Sequence, residues 1–125
     1  MTALTRNRIV MVNVAVNELE PSKRFYEEAL GLKFADERHG DGPVHLNATF
    51  GRWKTDSWFL LALWPNPDLA GTVDIGFLVE DLEGTYKRAL AAGATDEHGP
   101  IDQPGIPRFA QIRDPSGNQI GLYQS

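Results

Sequence analysis

The chain has 125 residues, a formal net charge of −5 and no cysteine. This length is enough for one compact domain or for two tightly packed half-domains. Without cysteine the chain can form neither disulfides nor thiolate metal sites. Its basic residues are scattered, which disfavours nucleic acid as a partner. No apolar run approaches membrane-spanning length, and residues 1–6 lack the apolar segment of a signal peptide. We therefore expect no membrane partner and a cytoplasmic location.

The first predicted strand, residues 9–16, has two unlike faces. Every even position is valine, whereas the odd positions carry Ile9, Met11, Asn13 and Ala15. Because successive side chains of a strand point to opposite faces, the valine face fits burial under a helix. An amide on the other face needs a hydrogen-bonding partner. We interpret this second face as the wall of a cavity.

A helix and three further strands complete the first half of the chain. Pro21 fits the first turn of the helix, apolar residues then recur at helical spacing, and Gly31 ends it. Strands are predicted at residues 32–38, 44–51 and 58–64. The residues predicted to share the cavity face with Asn13 are His45, Asn47, Thr49, Trp58 and Trp64.

The same order of elements restarts after a segment rich in proline, residues 65–71. The second half is predicted to contain a helix at residues 82–92 and a loop rich in glycine and proline at residues 99–107. Its strands are predicted at residues 73–79, 94–98, 109–113 and 119–123. The residues predicted on its cavity face include Asp74, Phe109, Gln111, Arg113 and Tyr123.

Both halves read strand–helix–strand–strand–strand, which predicts an α+β fold. We expect two βαβββ modules whose mixed sheets curl into a cup, with the helices on the convex faces. Residues 1–68 would form the first module with the linker, and residues 69–125 the second. The predicted cavity combines flat aromatic surfaces with a few hydrogen-bonding groups, a composition typical of pockets for small organic ligands. The predicted ligand-binding residues are Asn13, His45, Asn47, Trp58, Trp64, Asp74, Phe109, Gln111, Arg113 and Tyr123.

Several stretches in the right order give the chain a family resemblance. They are residues 16–19 leading to Phe25-Tyr26 and 30–32, residues 77–82 leading to 92–94, and the hairpin 114–118 followed by Ile120. With these stretches the chain resembles the vicinal oxygen chelate superfamily, which includes glyoxalase I, extradiol dioxygenases, fosfomycin-resistance enzymes and bleomycin-resistance proteins. The resemblance implies paired modules curled into a cup, and often a homodimer whose cups are completed between modules.

In this chain, most of the metal-ligand positions that the resemblance implies carry residues that cannot bind a metal ion. They fall on Met11, Ala62, Asp74 and Gly121. A mononuclear site needs about three ligands drawn from imidazole, carboxylate or thiolate groups. Only Asp74 supplies one, so we predict no metal at these positions and no cofactor. The space beside Ala62 and Gly121 would be filled either by a ligand or by neighbouring side chains.

Three functional hypotheses stay open. The first is a metal-free binding protein, similar to the drug-sequestering branch of the family, for a flat or amphipathic organic molecule. The second is an enzyme without a metal, with Asp74 or His45 as general base. The third is a divalent-metal lyase or dioxygenase with displaced ligands, and a degenerate module that serves only as an assembly partner is held in reserve.

The charged candidates also have structural interpretations. Asp74 and Arg113 could form an ion pair with each other instead of contacting a ligand, since buried charges are normally paired. His45 could be a hydrogen-bonded sheet residue instead of a catalytic base.

Overall fold

A computed structural model describes residues 7–125 of the chain. The prediction made for residues 1–6 lies outside this range. The elements in chain order are β1 (Met11–Val16), α1 (Leu19–Leu30), β2 (Ala35–Glu37), β3 (His45–Phe50), β4 (Phe59–Pro65), β5 (Asp74–Val79), α2 (Leu82–Ala91), β6 (Thr95–Ile101), β7 (Phe109–Arg113) and β8 (Gln119–Gln124).

The strands form two four-stranded sheets of the same topology. The orders are β1-β4-β3-β2 and β5-β8-β7-β6. In each sheet the first and last strands of the module pair in parallel, and the remaining neighbours are antiparallel. The predicted α+β fold with two βαβββ repeats and mixed sheets is therefore confirmed.

One helix covers one face of each sheet. Val14 and Val16 of β1 are fully buried, whereas Met11 and Asn13 on the opposite face are exposed. Apolar burial under α1 and α2 is the main stabilising term of this arrangement. Within residues 7–125 it leaves the opposite face of each sheet without a helix, and we call these two faces the open faces.

Hydrogen bonds also connect the second module to the first. The hydroxyl of Tyr26 on α1 donates to Asp114 Oδ2 over 2.7 Å. Asn118 Nδ2 donates to the backbone oxygen of Ala15 over 2.9 Å, and the amide of Asn17 donates to Ser116 Oγ over 2.8 Å. Residues 114–118, between β7 and β8, therefore fix the position of β1 and α1.

Two segments differ from the predicted elements. Strand β2 covers three residues, far fewer than the predicted 32–38. Strand β6 continues to Ile101, through Gly99 and Pro100, although the sequence predicts a loop from residue 99. Its ladder with β7 shifts register twice, between Asp96 and His98 and again before Ile101. Irregular pairing of this kind accommodates glycine and proline in a strand at the edge of a sheet.

Within the part of the chain that the structure describes, neither helix has the length and apolar character needed to cross a membrane.

Candidate functional site

The structure distributes the predicted ligand-binding residues over three places. One set lies on or beside the open face of the first sheet: Asn13, His45, Asn47 and Trp64. A second set lies on the second sheet: Asp74, Phe109, Gln111, Arg113 and Tyr123. Trp58 precedes β4 and packs edge-on against Trp53 of the preceding loop, with ring centroids 4.6 Å apart.

Trp64 is held in place on the first sheet by two contacts. Its ring stacks on that of His45 with centroids 3.7 Å apart and planes 11° from parallel. Its indole Nε1–H donates to Asn13 Oδ1 over 2.9 Å. The parallel pairing of β1 with β4 brings Asn13 and Trp64 together, and the antiparallel pairing of β3 with β4 brings His45 close. The indole is thus a fixed flat surface, as preorganised binding requires.

An open pocket of about 400 Å³ lies beside Trp64. This volume is in the range of sites for small organic ligands. Sequence reasoning found Asn13 and Trp64 but treated residues 65–71 as a spacer, and so it missed the linker's contribution. The one signal in the linker was Leu69, an apolar residue in a polar segment. The lining residues are Asn13, Ala15, Pro43, Trp64, Pro65, Asn66, Leu69, Thr72 and Val73.

A polar cluster at the β2–β3 hairpin lies next to Trp64, because His45 of this cluster stacks on the Trp64 ring. Oε1 of Glu37 accepts a hydrogen bond from Asn47 Nδ2 over 3.0 Å, and it lies 3.0 Å from His45 Nε2 and 3.1 Å from His39 Nε2. The hydrogen bonds from Asn47 and then from His45 lower the pKa of the Glu37 carboxyl. Sequence reasoning named His45 and Asn47 but missed Glu37, although a hairpin closed by residues 39–43 would have placed it opposite His45.

The second sheet carries another aromatic surface. Phe109 and Tyr123 are cross-strand partners whose rings stack with centroids 5.7 Å apart. His98 meets Phe109 edge-on at 5.1 Å. Beside them, Gln119 Nε2 donates to Gln111 Oε1 over 3.0 Å. This surface therefore combines stacked rings with amide groups.

The ring of Tyr123 fills the space beside Gly121. A Cβ added at Gly121 would lie 2.8 Å from Cε2 of this ring, and one added at Gly76 would lie 3.1 Å from the same atom. The space beside Gly121 is therefore filled by a neighbouring side chain, that of Tyr123, and is not open to a ligand.

The interpretation that Asp74 forms an ion pair with Arg113 is wrong. Strand β8 lies between their strands, with Gln119 paired to Asp74 on one side and to Arg113 on the other. Arg113 instead pairs with Glu97 of β6 and donates to the backbone oxygen of Gly117 over 2.9 Å. Asp74 is exposed.

The four metal positions implied by the family resemblance do not fit a metal ion. Met11 and Ala62 lie on the first sheet, and Asp74 and Gly121 on the second. Asp74 is the one of these four residues that offers a ligand from the imidazole, carboxylate or thiolate classes, because Met11 is a thioether, Ala62 a methyl group and Gly121 a glycine covered by a phenol ring. Zinc and iron sites use about three such ligands. These four positions therefore do not provide the ligand set that a zinc or iron ion needs.

Comparisons with known proteins give a family and several structural relatives. The family model described as Glyoxalase/Bleomycin resistance protein/Dioxygenase superfamily matches residues 8–122. A curated relative from Arabidopsis thaliana, described as probable lactoylglutathione lyase, chloroplastic, is 28% identical over 127 residues. This match covers 95% of the chain and 36% of the relative, so the chain spans about a third of that protein.

Two solved structures illustrate the structural likeness. TnmS3, described as an antibiotic binding protein from Streptomyces sp. CB03234, is 26% identical with a TM-score of 0.72, and the match covers 94% of this chain and 95% of TnmS3. A glyoxalase-related enzyme from Fulvimarina pelagi has a TM-score of 0.75 at 18% identity, over 95% of this chain and 88% of that one. At that identity the second likeness concerns the fold alone.

Proposed function

The chain belongs to the glyoxalase/bleomycin resistance protein/dioxygenase superfamily, and from this premise we propose that it is a small-molecule-binding protein whose ligand site is metal-free. Its ligand is a flat or amphipathic organic molecule held by aromatic and amide side chains. The observation that carries this proposal is Trp64, an indole fixed by His45 and Asn13 at the wall of an open pocket. The description of TnmS3 as an antibiotic binding protein supports the same class of function.

The pocket suits a ligand that is flat and partly apolar. Pro65, Leu69 and Val73 offer apolar contacts around Trp64. Asn13 already accepts a hydrogen bond from the indole, and its amide group can donate to a ligand oxygen. Stacking fixes the plane of the ligand and the amide its orientation, which is how a few polar groups give specificity in apolar pockets.

The aromatic surface of the second sheet is proposed as a second contact for the ligand. Phe109, Tyr123 and Gln111 present it on the open face. We propose that the chain is a homodimer in which open faces of two copies come together, so that each cup is completed between modules. The exposed apolar side chains of Met11 and Leu78 on these faces support this arrangement.

Tryptophan fluorescence and calorimetry test the binding proposal directly. A panel of flat aromatic and amphipathic compounds is titrated into the wild-type protein, Trp64→Phe and the matched control Trp53→Phe. We expect a binder whose emission change is lost in Trp64→Phe and whose affinity there falls about tenfold, as for the loss of an interface anchor. Trp53→Phe should bind as the wild type does. A panel with no binder, or equal affinity in both variants, would contradict the proposal.

An enzyme of the same superfamily is the alternative function. The curated relative described as a probable lactoylglutathione lyase favours it, and the exposed carboxylate of Asp74 is available as a base. His45 is less available, since its Nε2 is bonded to Glu37. Turnover that disappears in Asp74→Ala or His45→Ala would support acid–base catalysis, and turnover lost only on chelation would support a lyase or dioxygenase with displaced ligands. The cytoplasmic location stays a prediction.

A further inference from the structure

One carboxylate oxygen on the first sheet collects more donors than it has lone pairs. Glu37 Oε1 has two lone pairs, yet Nε2 of His39, Nε2 of His45 and Nδ2 of Asn47 all lie within 3.0–3.1 Å of it. At most two of these three nitrogens can make a well-directed hydrogen bond to it at one time. Two imidazole nitrogens and a carboxylate oxygen therefore lie close together, and hydrogen bonds to this oxygen cannot pair all of the nitrogens around it.

The β2–β3 hairpin builds this convergence. Glu37 and His45 are cross-strand partners, which places their side chains on the same face. The turn between the strands is closed by Gly42 N donating to His39 O over 2.9 Å and by Arg38 Nε donating to Gly42 O over 2.8 Å. Gly40 takes a left-handed φ of 55° in this turn. The turn brings the His39 ring over that of His45, with centroids 5.2 Å apart.

We propose that Glu37, His39 and His45 bind a divalent transition-metal cation of the zinc type. The donor atoms would be Nε2 of both histidines and an oxygen of Glu37, which all lie within 4.8 Å of one another. Ligands bound at about 2.0–2.2 Å in a tetrahedron lie about 3.3–3.6 Å apart, so the nitrogen–oxygen distances of 3.0 and 3.1 Å would lengthen by a few tenths of an ångström on binding. Paired imidazoles disfavour Mg²⁺ and Ca²⁺, which take oxygen ligands.

Two of the three proposed ligands are exposed, so the site is accessible from solvent. His45 is 2% exposed and fixed by the sheet and by Trp64, whereas His39 is 71% and Glu37 46% exposed. A cation can therefore reach the site from solvent and keep water at its remaining position. Metal at Nε2 places the ring proton of His45 on Nδ1, which is buried without a partner among residues 7–125. This cost predicts moderate affinity.

The proposed cation site does not depend on the proposed ligand pocket. It uses none of the four family metal positions, and none of its three ligands lines the pocket beside Trp64. Trp64 nevertheless stacks on His45 at 3.7 Å, so its emission reports on the cation site. Zinc binding without any organic ligand, and binding of an organic ligand to His39→Ala, are separate measurements.

Calorimetry on chelator-stripped protein tests the site with Zn²⁺ alone. We expect one Zn²⁺ per chain, no heat with Mg²⁺, and affinity about tenfold weaker or more in His39→Ala and in Glu37→Gln. The matched control is His98→Ala, because His98 is the remaining histidine of the chain and bonds to Gly99 O through Nδ1. Far-ultraviolet circular dichroism checks that every variant is folded.

A paramagnetic probe gives an independent readout. Co²⁺ bound at this site should quench Trp64, and the quenching should disappear in His39→Ala and in Trp64→Phe but persist in His98→Ala. Absence of Zn²⁺ binding would overturn the proposal. So would Zn²⁺ affinity that is unchanged in both His39→Ala and Glu37→Gln, or affinity that falls equally in His98→Ala.

Discussion

At the scale of single residues, Tyr26 shows how a buried polar group is tied to the fold. Its ring lies in the core, edge-on to Phe25 at 4.9 Å, and its hydroxyl donates to Asp114 Oδ2. Burial, and then the charge of Asp114, raise the pKa of the Tyr26 hydroxyl well above its usual value. The folded protein therefore keeps this proton at pH values where an unfolded chain loses it.

This shift predicts a loss of stability in alkali. Above the unfolded pKa of about 10, the unfolded chain holds fewer protons than the folded one, so the free energy of unfolding falls as pH rises. Tyr26→Phe should make this decline shallower, while costing about 1–2 kcal/mol at neutral pH through loss of the bond to Asp114. Urea unfolding at pH 7 and at several values above 10 measures both effects. Tyr123→Phe controls for loss of a phenol as such, and equal slopes in Tyr26→Phe and the wild type would contradict the prediction.

Sequence alternation predicted which side chains face away from the helices, but not which of them meet. Asn13 and Trp64 were both predicted on the open face because a strand alternates with period two. Their hydrogen bond depends on the parallel register of β1 and β4, which alternation does not encode. Likewise Arg113 was predicted on the correct face, yet its partner is Glu97 because β8 separates it from Asp74.

At the scale of elements, α1 ends because Gly31 takes a left-handed conformation. Its φ is 70°, its N–H donates to Glu27 O, and the following N–H of Leu32 donates to Tyr26 O. This cap satisfies carbonyls that the last turn would leave free. An added Cβ at Gly31 would meet nothing within 4 Å, so conformation alone decides the cost of a side chain there.

Substitution of Gly31 should therefore follow backbone preference. Gly31→Ala is expected to lower the free energy of unfolding by about 1–2 kcal/mol, the cost of a left-handed conformation for a residue with Cβ. Gly31→Asn should cost less, because asparagine tolerates this region better. Denaturant unfolding of the two variants measures the difference. An alanine variant as stable as the asparagine variant would show that the cap is not what limits α1.

The helices could be predicted from sequence more closely than the edge strands. Helix α1 has a proline near its start, a periodic apolar face and a glycine cap, all of which are local signals. Strand β6 has weak local signals, and its extension through Gly99 and Pro100 to Ile101 comes from pairing with β7. Tertiary pairing overrides local propensity there.

At the scale of the whole molecule, Asn118 joins segments from both halves. It is fully buried, its Oδ1 accepts from the backbone amides of Gly71 and Val73, and its Nδ2 donates to Ala15 O. The sequence indicated only a turn residue at this position, because these partners lie 45 or more residues away along the chain. The domain boundary between residues 68 and 69 stays a prediction.

Removal of the Asn118 amide should lower the stability of both modules, so that they unfold in one shared transition. Asn118→Ala leaves two backbone N–H groups and one carbonyl without this partner, and we expect a loss of about 3 kcal/mol in the free energy of unfolding. Gln103→Ala, an exposed loop substitution, should change it by less than about 0.5 kcal/mol. Thermal unfolding followed by tryptophan fluorescence and by circular dichroism should give one shared, lowered transition. Two separate transitions would show that the modules unfold independently.

The proposed homodimer rests on apolar surface left uncovered by both helices. Leu78 of β5 is 71% exposed and Met11 of β1 is 41% exposed, and both side chains lie on the open faces. Large apolar side chains that the helices leave exposed favour association with another copy of the chain.

A charge placed on that surface should dissociate the dimer. Leu78→Glu is expected to weaken self-association at least about tenfold, since a desolvated carboxylate without a partner opposes burial of the face. Leu90→Glu, an exposed substitution on α2, should leave the dimer intact. Sedimentation velocity over a range of protein concentrations measures all three proteins. A monomeric wild type, or equal dissociation by both glutamates, would mean that the open faces are not the interface and that each copy binds its ligand alone.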